Sequence, residues 1–141
     1  MNQTDRDGER GMASEVAVDD VVELTVPAQL GRVPIVRSLV ENVLLTDDFS
    51  LDTVADLKVG VDEACGELIA RTSPSARLKV IIATAPQDVR IEICCEVGSD
   101  VLDEMSFGWY VIKCVTDDVT VTYIDGDRRR EAQIVLTALR S

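Results

Sequence analysis

Two carboxylates one helical turn apart, Glu63 and Glu67, are the residues of this chain whose type and spacing could do chemistry. Side chains four apart share a helix face, where like charges repel by about 0.2–0.5 kcal/mol in an isolated helix. Such a pair can ligate a hard cation through oxygen or take a proton as a general base. The same spacing also fits a solvated acidic face, and spacing alone favours that second reading. The sequence has no histidine, which removes serine–histidine–acid triads, histidine bases, most catalytic zinc sites and any phosphohistidine relay. Cys65, Cys94, Cys95 and Cys114 form no C-x-x-C pair and lie in apolar segments, so they are expected to be reduced, buried thiols.

The element that carries the two carboxylates runs from Ser50 to Ser73, SLDTVADLKVGVDEACGELIARTS. Val54, Leu57, Val61, Ala64, Cys65 and Leu68 recur at helical spacing, and Asp52, Asp56, Glu63 and Glu67 take the opposite side. Ser50 stands at the N-cap position, with Asp52 in the first turn. Around this helix the chain reads in order. Residues 1–18 are polar and without period, a tail, and residues 19–141 form a single domain. Val22, Leu24 and Val26 alternate in a strand ending at Pro27. A helix from Val33 to Leu45 follows, with Pro34 in its first turn. After the long helix, Leu78, Val80 and Ile82 make a strand, and Ala85-Pro86-Gln87-Asp88 turns it into another that holds Val89, Ile91, Ile93 and Cys95. A loop from Val97 to Met105 leads to a third helix, and Val119–Tyr123 and Ala132–Ala138 form a last hairpin around Asp125-Gly126-Asp127. The expected fold is α+β: a two-layer sandwich with a mostly antiparallel five-stranded sheet and three helices on one face.

Of 141 residues 46% are hydrophobic and few are aromatic, so the core is aliphatic. Fourteen basic against twenty-six acidic residues give a net charge of −12, which opposes direct nucleic-acid binding and suits a basic protein partner. No apolar run is long enough to span a membrane and no secretory h-region opens the chain, so a cytoplasmic protein is expected. Arg128-Arg129-Arg130, after the turn, reads as a solvated hairpin tip.

The element order, Val61-Asp62-Glu63-Ala64-Cys65 on the long helix, and Ser106-Phe107-Gly108 opening a helix that ends at Thr116-Asp117-Asp118-Val119 resemble the RsbW and SpoIIAB anti-sigma factors, notably the actinobacterial UsfX-like type. These are serine kinases of the GHKL, histidine kinase-like ATPase superfamily with the Bergerat fold. The resemblance covers Val21 to Leu139. It implies a homodimer that sequesters an alternative, stress or developmental sigma factor and is countered by a STAS-domain anti-anti-sigma factor; charge and hydropathy, as above, leave no nucleic acid or membrane expected as partner. It also implies that Arg37 faces the sigma factor and the antagonist; taken alone, Arg37 reads as an exposed helix residue.

In the family the long helix supplies a glutamate base, matched by Glu63, and four residues on an asparagine that holds magnesium. Here that position is Glu67, which can ligand magnesium but adds charge beside a polyanion. The first glycine box aligns in two registers. One places Glu96 as the adenine acceptor with Gly98 behind it and Asp100 at the second glycine; the other, set by strand alternation, turns Cys95 rather than Glu96 inward. Gly108 of the second box reads equally as a phosphate contact or a helix-entry glycine. The lid between the boxes is short and acidic, ill suited to cradling a triphosphate. ATP or ADP with magnesium is therefore an expectation that only the resemblance supports. The resulting reading is an anti-sigma binding module with a degenerate nucleotide site, the alternative being an active ATP-dependent serine kinase acting on the STAS antagonist. A redox or small-ligand domain using the cysteines ranks third.

Overall fold

The computed structural model describes residues 20–98, 101–127 and 129–140; the tail, Ser99, Asp100 and Arg128 lie outside them. Five strands form one sheet in the order β1-β2-β3-β5-β4: β1 Asp20–Pro27, β2 Arg77–Thr84, β3 Asp88–Val97, β4 Asp118–Asp125 and β5 Arg130–Leu139. All four pairings are antiparallel, because β2-β3 and β4-β5 are hairpins and β5 inserts beside β3. The alternation seen in sequence sets the register. Leu24, Val80, Ile93, Ile134 and Val121 form one row across all five strands, and Val22, Ile82, Ile91, Leu136 and Val119 form the next. Both rows face the helices and supply much of the core. The other face carries no helix among the described residues and is tied by polar pairs such as Gln133 Nε2 to Glu92 Oε1 at 2.8 Å.

Three helices cover the apolar face: α1 Val33–Thr46, α2 Leu51–Ile69 and α3 Phe107–Val115. Pro34 sits in the first turn of α1, where its missing N–H is harmless. The α1–α2 corner is a C-capping turn in which Asp48 adopts the left-handed region at φ 62°. Phe49 N–H donates to Leu44 O at 3.0 Å and Asp48 N–H to Leu45 O at 3.2 Å, and the ring of Phe49 is buried. Ser50 caps α2 by accepting from Thr53 N–H at 3.2 Å.

Helix α2 ends at Ile69, four residues short of the sequence expectation. Arg71 and Thr72 instead donate to Leu68 and Ile69 in tight turns, because the polar Thr72-Ser73 pair precedes Pro74, which disfavours helical geometry before it. Trp109 and Ile112 of α3 are buried, while Cys114 is exposed, correcting the expectation that all four thiols are buried. The helix is too short to hide every side of itself, and Cys114 falls on its solvent side. The arginine tip is also not merely solvated: Arg129 pairs with Glu96 at 2.8 Å, and Arg130 lies over the Tyr123 ring at 5.4 Å.

Candidate functional site

Helix α2 presents two polar faces, because adjacent residues point about 100° apart. Asp62 turns toward α1. Its carboxylate accepts from Arg37 Nε through both oxygens, at 3.0 and 3.1 Å. One turn away, Lys58 Nζ donates to Glu41 Oε1 at 2.7 Å. The two bridges run with opposite polarity across antiparallel helices and fix α1 on α2. Among the described residues the terminal nitrogens of Arg37 have no protein partner, and the side chain is 39% exposed. Asp62 thus orients a guanidinium whose remaining donors face solvent in the planar fork that suits a carboxylate.

Glu63, the next residue, turns the other way, with Glu67 one turn below it. The first turn of α3 comes down on both: a Cβ built on Gly108 would lie 2.8 Å from Glu63 Oε1 and 3.0 Å from Glu67 Oε2. The two carboxylates therefore converge on one point at the positive end of α3, whose N-cap Ser106 accepts from Trp109 N–H at 3.1 Å. Glu67 is paired with Arg71 Nη1 at 3.2 Å; among the described residues Glu63 has no hydrogen bond or ion pair. The acidic face read from sequence is solvated at Asp52 and Asp56 and half-covered by α3 at Glu63 and Glu67.

Gly98 N–H donates to Arg71 O at 3.3 Å, which brings the start of the loop to the end of α2. A cavity of about 400 Å³ opens there, lined by Arg71, Thr72, Glu96, Gly98 and Arg129 among others. Glu96 does not turn toward Glu63. Cys95 and Val97 are buried on the helix side, so alternation sends the Glu96 carboxylate to the opposite face of the sheet, where Arg129 holds it. The alternation register is the one the strand adopts, and the position facing the helices offers a thiol where an adenine acceptor would be needed. Asp100 lies outside the described residues.

These residues do not fit a magnesium nucleotide. The space where phosphates and metal would meet Glu63 and Glu67 is in contact with the backbone of α3, and what lines it is two carboxylates that would repel a triphosphate. Among the described residues no three potential ligands gather as a metal site. The three buried thiols are held neutral. Burial, then the Asp62 carboxylate and Cys95, push Cys65 up to about 12, and burial with Glu131 and Glu92 takes Cys94 to about 11. Sequence reasoning missed Asp62. The signal was there: Lys58 and Asp62 repeat the base-then-acid spacing of Arg37 and Glu41, so that antiparallel helices set each base against an acid.

A two-layer sandwich of this order and connectivity, with an acidic helix packed between two others, is the GHKL-type architecture. Two solved structures share the fold. The SiaB–SiaC complex from Pseudomonas aeruginosa aligns with a TM-score of 0.69 at 10% identity, over 82% of this chain and 89% of that one. The RsbU and RsbW domains of Rv1364c from Mycobacterium tuberculosis align with a TM-score of 0.64 at 15% identity, over 86% of this chain and 33% of that one. No protein-family model matches the sequence. The chain is 35% identical over 125 residues to the anti-sigma-F factor RsbW of Mycobacterium tuberculosis, in two strains, across 85% of this chain and 74% of the relative. It belongs to the RsbW anti-sigma factor family. No helix among the described residues is long and apolar enough to cross a membrane.

Proposed function

We propose that this protein is an anti-sigma factor that sequesters an alternative sigma factor through α1 and the surface beside it, and that a STAS-domain anti-anti-sigma factor reverses the capture. The observation that carries the reading is Arg37, oriented by Asp62 and open at its outer nitrogens. A guanidinium fixed in place loses little freedom on binding and discriminates a planar carboxylate by geometry. The net charge of −12 adds long-range attraction toward a basic partner. The relatives named as anti-sigma-F factors support the same role, and a homodimer is the proposed working unit.

In this reading nucleotide chemistry is not needed. Glu63, the candidate base, and Glu67, the candidate magnesium ligand, pack against Gly108, and Glu96 and Gly98 do not complete an adenine site with them. The kinase alternative rests on Glu63 alone, a carboxylate with no partner among the described residues. The deciding experiment measures affinity for each alternative sigma factor of the host, with and without Mg·ATP, alongside incubation of the STAS protein with labelled ATP. Tight binding indifferent to nucleotide supports the proposal, no binding to any sigma factor ends it, and label transfer that Glu63→Ala abolishes establishes the kinase.

A further inference from the structure

The segment from Val101 to Cys114 carries the most exposed apolar surface of the described chain. Met105 is 92% exposed, Phe107 79%, Tyr110 63% and Val101 59%. These are not scattered side chains. Phe107 and Tyr110 are one turn apart on α3 and their rings stack at a centroid distance of 6.3 Å, with Met105 in the turn before the cap. Other parts of α3 are accounted for: Trp109 and Ile112 fill the core and Gly108 meets α2. The aromatic pair makes no use of that packing. Leaving two large rings and a methionine in water is unfavourable, and Phe, Tyr and Met are the types enriched at the centres of protein interfaces.

The rim states what kind of partner fits. Exposed Asp103 and Glu104 border the patch on the loop side, Asp117 and Asp118 stand past the far end of α3, and Lys113 is the helix's lone cation. The stretch from Leu102 to Met105 is held in place, since Asp103 Oδ1 accepts from Met105 N–H at 2.9 Å and Leu102 N–H donates to the Tyr123 hydroxyl at 2.8 Å. An apolar centre with an acidic border complements a helix whose apolar stripe is flanked by Lys and Arg. A protein that must also grip promoter DNA carries such basic surface.

We propose that Met105, Phe107 and Tyr110 form a second docking surface, which takes a basic amphipathic helix of the sigma factor. The proposal rests on the anti-sigma reading and adds to Arg37 a contact on the other side of α2. The approach of Gly108 to Glu63 and Glu67 is then a foundation that holds α3 in place, and the outer side of the same helix meets the partner. Two contacts on one rigid frame raise affinity and narrow the choice of partner more than either alone.

The test uses the full chain and the alternative sigma factors of the host. Phe107→Ser with Tyr110→Ser alters only exposed rings, so circular dichroism and the melting temperature stay as in the wild type. Affinity for the sigma factor that the wild type binds falls by roughly 30-fold or more, as for loss of two aromatic anchors. Asp103→Lys with Glu104→Lys slows association and flattens its salt dependence. Wild-type binding that both variants match within about twofold overturns the patch and leaves the anti-sigma reading standing. A patch variant that turns a dimer into a monomer assigns the surface to a second copy and overturns it too. Failure of the wild type to bind any sigma factor removes both readings together.

Discussion

Asp62 and Glu63 are neighbours in sequence and opposites in use. Asp62 faces α1, is neutralised by Arg37, and leaves that arginine presented at the surface. Glu63 faces α3, has no cation beside it among the described residues, and lies against Gly108. The difference is in what each face has to offer a ligand. The α1 face keeps an oriented, compensated charge pair with open donors, which is what recognition of another protein requires. The α3 face sets two carboxylates against the backbone at Gly108, with no cation beside Glu63 among the described residues. Two faces of one helix can therefore serve different ends.

The most disruptive way to break this comparison is Ile112→Ala. Ile112 is fully buried under α3, and truncation costs about 2–5 kcal/mol of stability. Denaturant unfolding reads the loss. If the α3 face is closed by packing and charge together, the loosened variant still fails to bind Mg·ADP in calorimetry. Nucleotide binding by this variant alone would show that packing was the sole obstacle.

Arg37→Ala probes the other face. Sigma affinity falls by about 2–3 kcal/mol, roughly 30- to 150-fold, while the melting temperature changes little because the bridge to Asp62 is part-exposed. A fall in melting temperature with the affinity of the folded protein unchanged would reassign Arg37 as structural. Asp62→Asn, which keeps size but not charge, gives an intermediate affinity if orientation of the guanidinium matters.

High pH tests what lies beneath both faces. Cys65 points from α2 to the sheet, and burial, the Asp62 carboxylate and Cys95 raise its pKa from 9.0 to about 12. In the unfolded chain the thiol ionises near 9.0, whereas in the folded chain it stays protonated, so above that pH the unfolded state holds fewer protons. This contribution to stability is complete below pH 9 and declines as pH climbs toward 12, at up to about 1.4 kcal/mol per pH unit. Cys65→Ala, measured by urea unfolding across that range, removes this part of the slope. Cys114, being exposed, is the thiol that alkylates first in the native protein.

The smallest effect belongs to Glu63→Gln. Removing one of two repelling carboxylates gains about 0.2–0.5 kcal/mol, and losing a favourable charge at the positive end of α3 takes back about 0.3–1 kcal/mol. Stability stays within about 0.8 kcal/mol of the wild type and sigma affinity is unchanged. A large drop in sigma affinity would mean that the two faces of α2 are coupled.

The periodicities made the fold legible before any coordinates. Period-two runs of apolar residues placed every strand, Pro34 and Ser50 placed two helix starts, and the core-facing row from Leu24 to Val121 follows from that alternation. These are local rules, acting over a few residues, so local sequence suffices. The alternation also pointed to Cys95 rather than Glu96 as the inward side chain. The early end of α2, the exposure of Cys114 and the pairing of Arg129 with Glu96 were not legible, because each depends on what lies alongside in space. The same holds for the centre of the molecule. Sequence determined that residues 62 and 63 carry acids on one helix; only tertiary packing decided that one meets an arginine 25 residues away and the other a glycine 45 residues away. Contacts at that separation depend on how helices cross, and no spacing within a single helix encodes the crossing.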